Sequence, residues 1–572
     1  MRTSKHQVEF CVIGGGLAGL CAAVAAARRG VKTLLMHDRP VLGGNASSEV
    51  RMWVCGAHGD HNRETGLIEE ILLDNLRRNP AANFSLWDSI LYEKARFQDN
   101  LTLLLNTTCL DAVMDGHRIR SVKGWQLTAE TWHEVAADCF ADCSGDSILA
   151  PLTGAEFRLG REARGEFNED IEPEVADAKT MGMSCLLQAR ETNRPCGFTP
   201  PAWAHRYPSC GALPHRGHRL EGCQNFWWLE IGGEGDILHD AETNRDELLK
   251  IAFGVWDHIK NHCRDKDEFR NWDLEWVGFL PGKRESRRYV GDHVMTQNDV
   301  RAGGAFPDVV AYGGWSMDDH HPAGFRHPGE PTVFHPAPSP FGIPYRCLYS
   351  RNITNLFVAG RNISVTHAAM SSCRVMATCA LLGQAVGTAA AIASRQKISP
   401  RAVGQQHLDE LQQALLDDDC RLPGITRRRP PPTLAATLSA SVGDPEPLRR
   451  GDDRTAAWNC RCNDTAEYRF AAPTPIRSVR LVFDSHLNRR EMNIRALLPL
   501  DRQNLRTPQT LVREFRLEIL APDGTWRTVG EVRDQAQRLV RLKLDVTTTA
   551  LRLTPLATWG SDTVRVFAWD IT

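Results

Sequence analysis

Val8-Glu9-Phe10-Cys11-Val12-Ile13-Gly14-Gly15-Gly16-Leu17-Ala18-Gly19-Leu20, close to the start of the chain, decides the reading of the fold. A short, mostly apolar run leads into a glycine turn, residues 20–29 behind it are small and helical in texture, and residues 31–36 form a second apolar run. Strand, glycine turn, helix and strand make one βαβ unit. A bare G-x-G-x-x-G recurs by chance, but this one follows an expected strand and opens an expected helix, the context a dinucleotide-binding fingerprint requires. Gly14 permits the tight turn, Gly16 lets the backbone approach a pyrophosphate, and Gly19 lets the helix lie close to the sheet. Leu17 and Ala18 lie in the turn at the N-terminus of that helix, whose free N–H groups carry partial positive charge toward such a ligand.

The second strand ends Met36-His37-Asp38, where folds of this kind place an acid that accepts from a ribose hydroxyl. His37 stands at the acid's position, so the contact falls either to Asp38 reaching back or to His37 itself. Val41-Leu42-Gly43-Gly44-Asn45-Ala46-Ser47-Ser48-Glu49-Val50-Arg51 follows directly, and Ala141-Asp142-Cys143-Ser144-Gly145-Asp146 and Phe357-Val358-Ala359-Gly360-Arg361-Asn362 come later. A double glycine, an Asp-x-Ser-Gly-Asp turn and a late strand ending in Ala-Gly are three further places where backbone must approach a large ligand.

Four such elements in this order resemble the glutathione-reductase-like flavoprotein fold. More narrowly, the chain resembles a family of bacterial FAD-dependent oxidoreductases that shares the L-G-G-N-A-S-S-E run (42–49), the K-R-E-S-R-R run (283–288) and A-G-R-N-I-S with the long small-residue stretch behind it (359–391). The resemblance covers about residues 7–395. It implies a tightly held FAD, with Gly14, Gly16 and Gly19 at the pyrophosphate, Gly43, Gly44, Asn45 and Arg51 in the segment closing over it, and Asp142 and Gly145 lining the adenosine side. Gly360 and Arg361 fall where related flavoproteins carry Gly-Asp facing the ribityl chain, which implies the position but not the acid's hydrogen bond. The helix starting near Ser371-Ser372-Cys373-Arg374 would aim its N-terminus at the pyrimidine end of the flavin, bringing Ser372 and Arg374 to the cofactor. The C-terminal part resembles discoidin-like, galactose-binding jelly rolls.

The expected fold is α/β: a Rossmann-like FAD-binding domain with an inserted α+β substrate domain, followed by an all-β sandwich of jelly-roll type. Residues 1–155 form the first part of the FAD-binding domain, 156–345 the tryptophan-rich substrate domain, and 346–425 the closing part with a long helix over 368–394. Arg427-Arg428-Arg429-Pro430-Pro431-Pro432 reads as a linker. Beyond it, residues 433–572 change texture to short alternating runs separated by turn signals, as a sandwich requires.

Of the 572 residues, 42% are apolar and 24% charged, which excludes a disordered, collagenous or coiled-coil chain. Lys and Arg number 68 against 70 Asp and Glu, so no global field draws in nucleic acid or an anionic membrane. The 17 cysteines are odd in number and scattered, without a C-x-x-C pair, so neither a disulfide framework nor a zinc site is expected. So many unpaired thiols suit a reducing compartment, and the protein reads as cytoplasmic. Arg2 and Lys5 ahead of an apolar stretch imitate a signal peptide, but Gly14, Gly15, Gly16 and Gly19 interrupt it. No other run approaches the roughly 18 continuous apolar residues of a membrane span.

Flavin chemistry needs an acid or base beside the cofactor, and histidine suits neutral pH. The candidates are His58, His320, His321 and His367, each with the alternative of a structural or solvated ring. His58-x-Asp60-His61 imitates metal ligands, but no third cluster has the right spacing, so no metal is expected. Arg284 and Arg288 can grip a carboxylate or phosphate bidentately, or serve with Glu285 as a salt-bridged strut. Cys55 is the thiol to watch, able to attach to a flavin or to sit inert. The first functional reading is oxidation of a secondary alcohol on a sugar, glycoside or polyol, by hydride transfer to flavin N5. The alternatives are reduction of an unsaturated or carboxylate-bearing small molecule, and a carbohydrate-binding protein with a decayed flavin site. No second G-x-G-x-x-G follows a strand, so electrons are expected to pass to an unidentified acceptor, and a homo-oligomer stays open.

Overall fold

The computed structural model describes residues 2–221 and 224–572. By contact the chain divides into two compact units, and neither is contiguous. The first comprises Met1–His58, Ala82–Leu411 and Met492–Asn504; the second comprises Gly59–Ala81, Gln412–Glu491 and Leu505–Thr572. The sequence division runs along the chain, whereas these units exchange segments.

In the first unit, strands β1 (Arg2–Ile13), β2 (Thr33–Met36), β3 (Leu101–Leu104), β4 (Thr107–Asp115), β5 (Arg118–Gln126) and β6 (Thr131–Asp142) form a sheet in the order β3-β2-β1-β6-β5-β4. β1 runs parallel to β2 and, along almost all of its length, to β6. The outer edge of β6 is shared, by the antiparallel β4–β5 hairpin along its first half and by the parallel strand Leu356–Val358 along its last three residues. Ile13 is registered against both Met36 and Asp142, and Asp142 against Val358. Four parallel strands therefore end side by side, and the chain leaves them through the four glycine-bearing segments that the sequence singles out. Open α/β sheets bind ligands at this edge.

Helix α1 (Leu17–Arg28) joins β1 to β2 and is buried over almost its whole length. It packs on helix Met376–Gln396 at backbone distance: a Cβ on Gly383 would come within 1.9 Å of the Ala18 carbonyl oxygen. That second helix is apolar and long enough to cross a membrane, yet 94% of its most apolar window is buried within the protein. The single helix expected over 368–394 is two, His367–Cys373 and Met376–Gln396, separated at Arg374 and Val375.

The tryptophan-rich middle of the chain has its own core, in which Trp228, Trp256 and Trp272 pack with Phe226, Leu248 and Val255. Strand Leu187–Glu191 pairs there with Trp272–Val277 on one side and with Leu497–Leu498 on the other, so a late piece of sequence completes this sheet.

In the second unit a seven-stranded antiparallel sheet is built around two long, bulged strands, Ala466–Phe483 and Leu539–Thr558. Trp458 and Trp569 are fully buried in it. Its interior is unusually charged: Arg427 reaches Asp570 at 2.9 Å and Asp453 at 3.2 Å, and Arg480 reaches the same two carboxylates. Glu69, on helix Leu67–Arg78, pairs bidentately with Arg489 at 2.7 and 2.5 Å, both side chains being 2% exposed. The run expected to be a linker is part of this packing. Arg427 is buried, and Pro431 and Pro432 open the short helix Pro431–Ala435, since proline is tolerated in a first helical turn where its missing N–H costs nothing.

Candidate active site

The four segments leaving the sheet edge surround a cavity of about 480 Å³, within the range of roughly 300–1,000 Å³ usual for ligand sites. Gly14, Gly16, Leu17, Ala18, His37 and Asp38 line one side. Gly43, Gly44, Asn45, Gly145, Gly360 and Arg361 close it, and Arg284, His320 and Arg374 stand elsewhere on its wall.

At the turn, Gly14 has φ +100°, and a Cβ there would lie 2.5 Å from the backbone of Cys143 and Ser144. Gly16 is different. A Cβ on Gly16 would meet nothing nearer than the Gly44 Cα at 3.9 Å, so the space before it is free of protein. No side chain caps the N-terminus of α1, and its first N–H groups remain available. Gly19 does not line the cavity; a Cβ on it would strike the Gly14 carbonyl at 1.8 Å, so it sets the approach of helix to strand.

His37 is buried with both ring nitrogens engaged. The Gly15 N–H donates to Nδ1 at 3.0 Å and Nε2 lies 3.0 Å from the Val41 carbonyl, while one oxygen of the Asp38 carboxylate sits 3.1 Å from the same Nδ1 and the other is left for a ligand. That ring braces the turn, while the neighbouring Asp38 carboxylate, with 58% of its side chain exposed, stands at the cavity. Of the two residues weighed for a ribose contact, Asp38 is the one with acceptor capacity to spare.

Arg361, at the position where the resemblance implies an acid, is paired with an acid from another loop, Asp146. Asp146 accepts from Arg361 and Lys283, each at 2.8 Å, and from the Ser286 hydroxyl at 2.8 Å. Burial works against its charge, but Arg361 and Lys283 outweigh it and hold the Asp146 pKa down at about 2. Asp146 and Lys283 line the cavity and escaped the sequence reading, although Asp146 closes the quoted Asp-x-Ser-Gly-Asp turn and Lys283 opens the K-R-E-S-R-R run.

Several other expected residues lie outside the cavity lining. Arg51 is sandwiched between Phe84 and Trp276, 4.2 and 4.3 Å from the ring centroids, and donates to Gln188. Asp142 is fully buried and braces its own loop, accepting from the Ser144 N–H and hydroxyl, the Leu149 N–H and the Tyr289 hydroxyl. Ser372 donates to the Trp315 carbonyl from within helix His367–Cys373. The helix N-terminus that reaches the cavity is that of Met376–Gln396, through Arg374, Val375 and Met376.

The four histidines separate cleanly. His58 is exposed and stacks on Trp315 at 4.3 Å. His321 is exposed and stacks on His327 at 3.7 Å. His367 is buried between Glu285 (2.8 Å) and Asp319 (3.2 Å). Burial pulls its pKa down, but those carboxylates outweigh it and hold it well above the usual imidazole range, so it is a fixed cation at neutral pH. Arg288 belongs to the same buried cluster, bonded to Glu162 and the Val365 carbonyl, and is a strut rather than a cavity residue. His320 alone of the four lines the cavity. Its Nδ1 lies 2.6 Å from Glu230 and its Nε2 3.2 Å from Asp318. Burial raises both carboxyl pKa values, but Arg284 and His320 outweigh it at Glu230, and His320 and Arg374 at Asp318, so both are ionised. Arg284 is itself engaged, donating to the Ser184 hydroxyl and the Trp227 carbonyl at 2.8 Å.

The cluster around His367 yields a pH prediction. Burial, reinforced by Glu162 and Glu169 against the pull of His367 and Arg288, raises the Glu172 carboxyl to about 7, and its Oε2 has no hydrogen-bond partner among the described residues. The folded protein keeps a proton there that an unfolded chain releases near pH 4.5, so stability falls as pH rises through that window. A shift of this size corresponds to at most about 3 kcal/mol. Between pH 5 and pH 8 the Glu172→Gln variant is expected to lose less thermal stability than the wild type; equal losses in melting curves would show that Glu172 is not the group responsible.

The cavity suits a large dinucleotide by its unfilled donors as well as its glycines. Trp315 Nε1, Arg361 Nε and Arg374 Nε are buried on its wall with no hydrogen-bond partner among the described residues, as a ligand bearing phosphates, hydroxyls and ring carbonyls would require. Trp53, Trp227 and Trp315 add aromatic wall.

No match is found among curated proteins. Among solved structures, the chain is similar to a geranylgeranyl bacteriochlorophyll reductase-like protein from Thermoplasma acidophilum at 12% identity and TM-score 0.34, over 73% of this chain and 86% of that one. It is also similar to a family 32 carbohydrate-binding module from Streptococcus pneumoniae at 15% identity and TM-score 0.20, over 24% of this chain and 94% of that one. The family model for FAD dependent oxidoreductases matches residues 9–415, a span that contains every cavity-lining residue named above. The chain therefore belongs to the family of FAD dependent oxidoreductases, and FAD is its cofactor.

Proposed function

We propose that the protein oxidises a secondary alcohol of a sugar, glycoside or polyol, with His320 as the base. The observation that carries this reading is the placement of His320: it alone of the four histidines weighed reaches the cavity, and a buried carboxylate holds each of its nitrogens. FAD supplies the hydride acceptor. Glu230, at the shorter distance, orients the ring through Nδ1, which leaves Nε2 as the atom that takes the substrate hydroxyl proton. Asp318 lies at the longer 3.2 Å and is itself fixed by Thr332 and Arg374, so a substrate hydroxyl can displace it from Nε2; the ring then carries its one proton on Nδ1 toward Glu230 and Nε2 is left as the acceptor, an exchange not open to His367, which lies outside the cavity. Trp53, Trp227 and Trp315 offer apolar faces of the kind that pack on sugar rings.

Anaerobic mixing with a panel of sugars and polyols should bleach the flavin. His320→Ala should slow that bleaching by roughly 10²–10⁴ while leaving the flavin spectrum and content unchanged. Undiminished bleaching in the variant would remove His320 from the role. If instead no sugar reduces the flavin and the dithionite-reduced enzyme is reoxidised rapidly by an unsaturated carboxylic acid, the reaction runs in the reductive direction and Arg284 becomes the substrate anchor.

A further inference from the structure

Helix Ala241–Asp257 does not end at Asp257 but widens into a π turn, His258–His262, closed by a hydrogen bond from the Cys263 N–H to the His258 carbonyl at 2.6 Å. In a regular α-helix residues five apart point about 140° away from each other. The wider turn brings His258 and Cys263 onto one side, and π turns of this kind concentrate at functional positions. Opposite them lies residue stretch 210–218, which contributes Cys210 and His218. The ligand atoms of Cys210, His218, His258 and Cys263 all lie within 4.8 Å of one another.

The details are those of a metal site. The Cys210 and Cys263 sulfurs are 3.9 Å apart, far beyond the roughly 2.05 Å of a disulfide and close to the ~3.8 Å that separates two thiolates on one tetrahedral zinc. His258 is fully buried and its Nδ1 donates to the Tyr207 carbonyl at 2.9 Å, which leaves the lone pair on Nε2. That Nε2 has no partner among the described residues, and neither has Nδ1 of His218. A backbone carbonyl that fixes the tautomer of a ligating histidine is the usual outer support of such a site. The two rings are 5.0 Å apart and inclined at 80°, and the Asp265 N–H donates toward the Cys263 sulfur at 3.5 Å.

We propose that Cys210, His218, His258 and Cys263 bind one zinc ion, in a closed structural site. Two soft thiolates with two imidazoles select zinc among the common divalent ions, and four protein ligands leave no open position for substrate. Binding releases the two thiol protons to solvent and changes no oxidation state. None of the four residues lines the flavin cavity, so the site stands independently of the flavin reading. Its work is to pin the irregular stretch around Cys210 and His218 to the end of a helix whose other face packs in the tryptophan-rich core. The spacing, seven residues between Cys210 and His218 and four between His258 and Cys263, with thirty-nine between the pairs, contains no recognised zinc motif and is legible only once the π turn is seen.

The test is elemental analysis of the flavin-loaded protein, purified without chelator. About one zinc per chain is expected. Replacement of that metal by cobalt should produce thiolate-to-cobalt charge-transfer absorption and intense tetrahedral ligand-field bands. Cys263→Ser and His218→Ala should bring the zinc content near zero with flavin content retained. Differential alkylation of the wild type reads the same site without any substitution: Cys210 and Cys263 should be protected until zinc is removed by chelator. Metal content near zero in the wild type together with no charge-transfer band on cobalt addition would overturn the proposal, and so would a Cys210–Cys263 disulfide in the purified protein, or zinc retained when both cysteines are replaced by serine.

Discussion

Gly16→Val is expected to give a folded, colourless protein. The protein itself leaves room for the new side chain, because a Cβ at position 16 has only the Gly44 Cα within 4 Å and the backbone there has an ordinary negative φ. What the valine fills is the space the backbone keeps open in front of the turn, where the pyrophosphate approaches the helix N-terminus. Flavin content, read from visible absorbance of the purified protein and after reconstitution with excess FAD, should fall from near full occupancy to near none while the melting of the polypeptide stays cooperative. The same substitution at Gly14 or Gly19 would not discriminate, since both would strike backbone and damage the fold itself. A yellow Gly16→Val protein with unaltered occupancy would show that the cofactor does not sit on this turn.

The largest loss of stability is expected from Arg489→Met. Arg489 and Glu69 are paired bidentately in the interior of the second unit, and removing the guanidinium leaves a buried carboxylate with the Ser485 hydroxyl and Arg63, at 3.6 Å, as its remaining company. Breaking such a pair from one side costs about 3–5 kcal/mol, whereas replacing both partners by apolar residues is often close to neutral. Arg489→Met should therefore lower the melting temperature of that unit by about 10 °C. Adding Glu69→Leu should recover most of the loss. If the double variant melts as low as the single one, the cost lies in packing rather than in the stranded charge.

These two cases mark what the amino-acid sequence discloses and what it hides. The glycine turn was legible because its constraints are local: a positive φ at Gly14 and a helix that must touch a strand at Gly19 act on adjacent residues and leave only glycine possible. Segments at the ends of Ile13, Met36, Asp142 and Val358 were legible for the same reason, each being a strand followed by its own tight turn. Asp146 was hidden because its partner Arg361 lies in a different loop, and pairing across 215 residues leaves no local trace. The choice among four histidines was equally invisible, since neighbours in the fold and not in the chain decide that His367 is a locked cation and His58 a surface ring stacked on tryptophan. Arg427 and the prolines behind it misled for a physical reason: proline interrupts a helix only from its second turn onward, and a triple arginine is a solvated run only when no carboxylates wait for it in the interior.

The exchange of segments between the two units also sets a timetable for synthesis. Helix Leu67–Arg78 is made early, but Arg489, which neutralises its buried glutamate, lies 420 residues further along. At the ordinary rate of about 5–20 residues per second, that helix waits roughly 20 to 80 s on the ribosome with its apolar side uncovered. The N-terminal βαβ unit meanwhile has its strands and can begin to close around the gap from which the helix was looped out. Nascent chains of this protein should therefore depend on a holding chaperone until the last strands emerge, and the C-terminal sheet should not transplant as a cassette unless residues 59–81 travel with it.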